Sequence, residues 1–378
     1  MKRILAILVI LSLAGGGGFL LAGVLRSGRA ANGHSYVTLS SSRAESGEAA
    51  PAAQAQVRLT TAAEAAPSLP DEGQTEVREA AAGSQKAEDN VSEEEAAGPV
   101  TLLFAGDIYL SDYVLQAYDQ AGGISGVLDE GIREEIRQAD LFMANMEFPF
   151  TERGTKAADK QYTFRLPESR FRILEETGVD IVTLANNHIL DYGEQGLSDS
   201  LDLLEAKGLP AVGAGRDLEQ ASALQILEVK GKKIGFLGTS RVYMSADWAA
   251  GPGHPGVFST YDTTLPLQKI REAREKCDFL VVYVHWGVER ETSPQDYQVR
   301  MGQDYIRAGA DLVVGAHPHV LQPVVSWQGK TIAYSLGNFI FGSSIPETEL
   351  LKITLQEDGS YQTDTIPCKA SGGYTRLR

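Results

Sequence analysis

Between residues 100 and 341 the chain alternates short apolar runs with longer amphipathic stretches, and six of the runs end alike. VTLLFAGD reaches Asp107, LFMANME reaches Glu147, IVTLANNH reaches His188, and FLVVYVHW contains His285. LVVGAHPH carries His317 and His319, and TIAYSLGN closes on Asn338. Apolar runs of β-branched and aliphatic residues without alternation read as strands buried on both faces, and in open α/β sheets the ligand sits beyond the carboxyl ends of such strands. The polar endings therefore describe one site assembled from six strand ends. Four of the chain's six His residues lie in these endings, which chance scattering would rarely achieve.

Between the strands, residues 132–139, 169–178, 194–208, 268–276 and 297–309 carry apolar positions at three- and four-residue spacings with charges between them, which predicts helices. Strands alternating with helices imply an α/β domain. Residues 224–229, 233–237 and 350–355 resemble shorter strands, with turn signals at Lys230-Gly231 and Asp358-Gly359. A second, partly antiparallel sheet is expected from them. Residues 240–266 hold three Pro, three Gly and Trp248 and predict a long loop, a lid or substrate wall.

Composition divides the chain into three parts: 1–30, 31–98 and 99–378. The net charge of −16 falls as +4 on the first, −8 on the second and −12 on the third. Residues 4–25 carry no charge, and as a helix they would span roughly 33 Å, about a hydrocarbon core. They are expected to form a membrane anchor; the alternative is a cleaved signal peptide, with Lys2 and Arg3 ahead of the apolar stretch and Gly15 to Gly18 near a cleavage point. Residues 31–98 are rich in Ala, Glu and Ser, with Tyr36 the single aromatic, and lack the apolar surface to offset chain entropy. They read as a disordered tether, with a root-mean-square span of roughly 40–50 Å. An acidic folded part disfavours nucleic-acid binding. Cys277 and Cys368 are too few for a disulfide framework, and two thiols or one bridge both stay open.

The strongest chemical segment is GAHPH at 315–319, where Gly315 permits a close backbone turn and both imidazoles can face a common cation. His285 adds a third imidazole, and Asp107, Glu147, Asn187 and His188 supply further donors. Imidazoles mixed with carboxylates and an amide suit Zn, Mn or Fe. Seven candidates exceed the ligands one transition metal takes, so two divalent metals are expected.

The ordered series GD, ANME, ANNH followed by Asp191-Tyr192-Gly193, HWG followed by Glu289, GAHPH and SLGNF resembles the CapA family of poly-γ-glutamate capsule biosynthesis proteins, over roughly residues 99–345. That family is similar to the calcineurin-like metallophosphoesterases, and the resemblance implies a four-layer α/β/β/α sandwich with a dinuclear centre. It places Asp107 at the first aspartate, Glu147 at the bridging carboxylate, Asn187 and His188 at the Asn-His pair, His285 at the lone histidine, and His317 and His319 at the Gly-x-His-x-His end. His188, supported by Asp191, is then expected as a general acid or a group orienting the transition state. Asn338, Arg153 and Glu289 are expected at substrate. Two departures stand out. Tyr109 holds the place of a histidine in the first motif, and Glu147 replaces an aspartate. One metal position is therefore expected to be weaker, vacant or completed by Tyr109.

The resemblance and the N-terminal segment together imply a single-pass, membrane-tethered extracellular component of poly-γ-glutamate capsule synthesis, partnered by the polymer and its membrane synthesis complex. A secreted metal-dependent phosphoesterase is the first alternative, and a non-catalytic metal-containing scaffold or carboxylate-binding module is the second.

Overall fold

The unalternated apolar runs form strands because both of their faces are covered. The computed structural model describes residues 23–29, 35–41, 98–342 and 345–378, in a chain that divides into two units, Met1–Lys86 and Ala87–Arg378. In the first unit Gly23–Arg29 pairs antiparallel with Ser35–Ser41, Gly23 lying opposite Ser41. The expected anchor and tether otherwise lie outside the described residues. Among the described residues no helix is long and apolar enough to cross a membrane.

In the second unit β1 (Val100–Ile108), α1 (Asp112–Ala121), α2 (Glu130–Gln138), β2 (Leu141–Met146), α3 (Arg172–Thr177), β3 (Ile181–Thr183), α4 (Gly193–Lys207) and β4 (Ala211–Val212) come first. Then follow β5 (Gln225–Val229), β6 (Lys232–Ser240), α5 (Thr264–Arg274), β7 (Phe279–His285), α6 (Asp296–Ala308), β8 (Leu312–Ala316), β9 (Leu321–Trp327) and β10 (Lys330–Leu336). β11 (Asn338–Ile340), β12 (Glu347–Leu355), β13 (Tyr361–Ser371) and β14 (Tyr374–Leu377) come last, and apart from these a short helix spans Leu218–Ala221 and Gly256–Val257 pairs antiparallel with Ala214–Gly215.

One sheet has the order β14-β13-β12-β1-β2-β3-β4 with β11 beside β1, and the other β9-β10-β8-β7-β6-β5. Strands β1 to β4 run parallel, as do β6, β7, β8 and β10. Successive side chains on a strand face opposite ways, and the burial follows that period. Leu102 and Phe104 meet Phe236, Phe279, Val281 and Tyr283 between the sheets. Leu103 and Ala105 pack outward with Ile132 and Ile136 of α2 and Leu197 and Leu201 of α4. On the far side Leu280, Val282 and Val284 pack with Ile270 of α5 and Met301 and Tyr305 of α6. The result is the expected four-layer α/β/β/α sandwich.

Local chemistry accounts for the helix ends. The Asp129 carboxylate accepts from Ile132 N at 2.8 Å at the start of α2, and Gln295 and Gln298 form a reciprocal cap on α6. Helix α5 begins at Thr264, four residues earlier than its periodicity predicted, because Pro266 sits in the first turn, where no N–H is needed. Residues 350–355 belong to the first sheet, a correction to the expected second-sheet placement. Leu351 lies opposite Phe104, and Leu351, Ile353 and Leu355 join the core between the sheets. The antiparallel members of the second sheet are β5 and β9. Cys277 and Cys368 are separate buried thiols.

The turn from β10 into β11 presses against β1. A Cβ on Gly106 would lie 1.9 Å from the Gly337 carbonyl oxygen, and that same oxygen accepts from Asp107 N at 3.0 Å. Gly106→Ala is expected to destabilise the protein by about 3 kcal/mol through overpacking against rigid backbone, measured by urea denaturation. A loss below about 1 kcal/mol would show that β11 is not held against β1 in this way.

Candidate metal centre

Six loop starts converge where the parallel strands of both sheets end. Asp107 lies near the end of β1, and Asn338 opposite it in β11. Glu147 follows β2, its N–H donating to Ile108 O at 2.9 Å. His285 ends β7 opposite Ala316 of β8, and His317 and His319 follow directly. A Cβ on Gly315 would lie 2.1 Å from Tyr334 O and 2.4 Å from Trp286 Nε1, so glycine alone permits this packing. His317 and His319 both have left-handed backbones, with φ of 95° and 60°. Such conformations cost about 1–3 kcal/mol each and persist where the surroundings enforce them, typically at functional sites.

Glu147 stands at the middle of the cluster, fully buried. Its Oε1 lies 3.4 Å from His285 Nε2, which in turn is 2.7 Å from Asn187 Oδ1. Its Oε2 lies 4.0 Å from His319 Nδ1, which is 3.2 Å from Asp107 Oδ2 and 2.8 Å from Asn338 Oδ1. The 3.4 Å approach brings attraction without hydrogen-bond geometry. Among the described residues, both Glu147 oxygens and His317 Nδ1 lack a hydrogen-bond partner. Ligand atoms of Glu147, His317 and His319 all lie within 4.8 Å of one another. Buried polar atoms are normally satisfied, so a carboxylate and an imidazole left bare at one point fit a divalent cation. Asp107 is fixed separately, its Oδ1 accepting from Asn145 Nδ2 at 2.8 Å and its Oδ2 from His317 N at 3.3 Å.

The electrostatics agree with that fit. Burial opposes ionisation of Glu147, yet His319 and His285 outweigh it and hold its pKa well below the ordinary carboxylate range. Burial, reinforced by His285 and His319, drives the pKa of His317 well down, leaving a neutral, ligand-competent imidazole. His319 behaves oppositely. Burial disfavours its proton, but Glu147, Asp107 and Asn338 raise its pKa to about 10.

Beside the cluster, His188 Nδ1 lies 2.7 Å from Asp191 Oδ2, which also accepts from Phe164 N at 2.6 Å. Lys160 donates to Asp191 Oδ1 and to the Asn187 carbonyl. Its Nζ is 3.1 Å from His188 Nδ1; with Nδ1 protonated, the two are donors side by side, both satisfied by Asp191. Burial pulls the pKa of Lys160 down, with Asp191 opposing. The His188 ring stacks on Phe164 at 4.0 Å between centroids, and Phe164 stacks on Tyr109 at 3.7 Å. Trp248, from the long loop at 240–266, places its ring 5.2 Å from Lys160 Nζ, so that loop does reach the site.

The structure thus brings Asp107, Glu147, Asn187, His188, Asp191, His285, His317, His319 and Asn338 together. Arg153 is elsewhere engaged, its guanidinium paired with Asp199. Glu289 is exposed, and its charge acts on Lys160. Trp286 is a packing residue whose Nε1 donates to Tyr334 O at 2.9 Å. Sequence reasoning missed Asn145, Asn186 and Lys160. Asn186 donates to Asn145 Oδ1 at 3.0 Å and to Met146 O at 2.8 Å, while its own oxygen accepts from His188 N and Ile189 N. The ANME and ANNH segments offered a signal for the two amides. Lys160 lies in a stretch with no pattern.

The model of the bacterial capsule synthesis protein family PGA_cap matches residues 101–343. The chain is 33% identical over 269 residues to the PGA biosynthesis protein CapA of Bacillus subtilis (strain 168), covering 70% of each chain. It is 28% identical over 284 residues to the capsule biosynthesis protein CapA of Bacillus anthracis, covering 72% of this chain and 68% of that one. Among solved structures it is similar to a novel phosphatase from Mycoplasma pneumoniae, at 15% identity and TM-score 0.45, covering 72% of this chain and 95% of that one.

Two outcomes are expected of the centre itself. A cation at about 100 times its dissociation constant stabilises the fold by roughly 2.7 kcal/mol, which in a domain of this size is a Tm shift of about 4–5 °C. Calorimetry with and without EDTA should show that shift, and Glu147→Ala should abolish it; equal melting temperatures would remove the cation. In the metal-stripped chain the raised pKa of His319 contributes stability that is complete below about pH 6.5 and disappears as pH rises through about 10. Urea denaturation across that window should show a decline that His319→Gln lacks, and a slope common to both chains would contradict the assignment.

Proposed function

Because the chain belongs to the bacterial capsule synthesis protein family PGA_cap, we propose that it serves poly-γ-glutamate capsule biosynthesis as a membrane-tethered extracellular component. Its sandwich domain works through a divalent metal centre. The names of the two Bacillus relatives support the pathway. The uncharged residues 4–25 and the acidic stretch 31–98 support tethering and an outward-facing domain next to a membrane polymer-synthesis complex.

The observation that carries the metal centre is the buried Glu147 carboxylate with two bare oxygens, each facing its own set of donors. Asn187, His285 and His317 would hold an ion on the Oε1 side, and Asp107 and His319 one on the Oε2 side, with Glu147 shared between them. Bound divalent ions would polarise an anionic oxygen and acidify water. The chain's own residues supply the rest. Asp191 fixes the His188 tautomer through Nδ1, leaving Nε2 to exchange a proton with a group held at the centre. Lys160 balances the Asp191 charge, and Phe164 keeps the imidazole plane in place. The folded part, at −12, repels a polyanion over distance. Engagement of polymer carboxylates or of a phosphoryl group therefore rests on the centre.

A second reading, a secreted metal-dependent phosphoesterase, is favoured by the His188–Asp191 pair beside the cluster. Deletion of the gene is expected to abolish surface polymer. Wild type should restore it, whereas Glu147→Gln should leave it at or below about a tenth. Full restoration by Glu147→Gln would reduce the domain to a scaffold. Turnover of bis-p-nitrophenyl phosphate by the purified chain with Mn or Zn, lost in His317→Ala/His319→Ala, would favour the second reading.

A further inference from the structure

The donor set on the Oε2 side of Glu147 lacks the imidazole expected from the first motif, since Tyr109 occupies that position. Its ring is taken up by other work. It stacks on Phe164 at 3.7 Å and 16°, and packs edge-on to Phe341 with centroids 5.4 Å apart and tilted to Phe148 at 6.4 Å. The strand that replaces it in the site is β11. The Gly106–Gly337 approach sets Asn338 in register with Asp107, and its side chain is buried at the cluster. Asn338 Oδ1, Asp107 Oδ2 and Glu147 Oε2 stand 2.8, 3.2 and 4.0 Å from His319 Nδ1. Three side-chain oxygens thus converge on one imidazole nitrogen. A cation bound to that nitrogen would face the same three oxygens, of which Glu147 Oε2 has no hydrogen bond of its own.

The other side is chemically different. Glu147 Oε1 and Asn187 Oδ1 meet there with His285 Nε2. The His317 ring centroid lies 4.8 Å from that of His285, and its Nδ1 is bare. The His317 ring stands farther from His319, at 5.8 Å between centroids, and counted on the His285 side it gives that side two nitrogens and two oxygens, whereas the Asn338 side offers one nitrogen and three oxygens. Oxygen-rich sites suit harder ions such as Mn, and imidazole-rich sites suit Zn.

We propose that Asn338, rather than Tyr109, completes the second metal position, and that the centre is an unequal pair: an imidazole-rich position favouring Zn and an oxygen-rich one favouring Mn. The proposal rests on the metal-centre reading above and names the ligands of its weaker half. Asn338 thereby moves from the substrate role that the sequence suggested to a ligand role, and Tyr109 becomes support for the Phe164–His188 stack.

The test is metal stoichiometry in the full chain, stripped with EDTA and reloaded with Mn alone, Zn alone or both. It is read by elemental analysis after gel filtration and by Mn electron paramagnetic resonance. Wild type should hold two ions, one Mn and one Zn from the mixture. Asn338→Ala should hold one ion, with affinity for the second ion, Mn, reduced at least tenfold. Asn338→Asp, which keeps an oxygen donor, should hold two, and so should Tyr109→Phe. Circular dichroism and the Asn338→Asp chain separate ligand loss from misfolding. Two ions of unchanged affinity in a folded Asn338→Ala chain, or loss of one in Tyr109→Phe, would overturn the assignment while leaving the metal centre intact. A wild-type chain that binds one ion overturns the pair, and one that binds none overturns the metal-centre reading itself.

Discussion

A carboxylate buried in full with neither oxygen hydrogen-bonded is the constraint on which the rest of the domain depends. Glu147 is in that position. Removing a carboxylate from water costs several kcal/mol even after the protein relaxes, so positive charge must stand nearby. Of the three imidazoles that the second sheet brings there, His319, its pKa raised to about 10, carries that charge. His285 approaches one oxygen and His319 the other, while His317, its Nδ1 bare, has a ring nitrogen within 4.8 Å of a Glu147 oxygen. The carboxylate comes from one sheet and the imidazoles from the other. The site therefore holds the two halves of the sandwich in register as well as offering a place for a ligand.

The backbone carries strain to make that meeting possible. His317 and His319 are both in the left-handed region, which β-carbon sterics disfavour. Asn145 holds Asp107 and lies 3.4 Å from His285 Nδ1, and Asn186 holds Asn145, so a chain of side-chain amides spans the sheets beneath the cluster. With these amides satisfied by one another, the unsatisfied atoms of the cluster are the two Glu147 oxygens and His317 Nδ1, where a cation fits. A half-satisfied polar network would destabilise the fold; here the deficit is local and directed.

Much of the architecture was legible in the chain because the two periods differ. Unalternated runs marked the strands buried on both faces, and their polar ends, from Asp107 to Asn338, meet in one cluster. Helix α1 escaped notice because it buries only Val114 and Tyr118, too few to set a period. Sheet membership of β12 depended on long-range pairing with β1, which no local pattern encodes. Within the site the ligand-type side chains were visible by position, whereas Lys160 was not. It enters from a loop 27 residues before Asn187, and its role lies wholly in three-dimensional contact with Asp191. Arg153 misled because a positive charge beside a site loop suggests an anion, while its actual partner, Asp199, sits on α4 and was invisible to local reasoning.

At Tyr109, where the sequence resemblance implies a histidine, the side chain serves the cluster by packing. A histidine there would bring a nitrogen to the cluster. Tyrosine instead extends a flat aromatic face, and Phe164 and His188 stack on it in succession. Stacked aromatic pairs contribute about 0.5–1.5 kcal/mol beyond their buried area, enough to limit the imidazole to one plane. Asp191 then limits its tautomer and Lys160 limits Asp191. The ring of Tyr109 thus helps to hold His188 in a fixed orientation beside the cluster. On the proposed reading, proton exchange at His188 would depend on that orientation, because a general acid or base acts only from within hydrogen-bond reach of its partner.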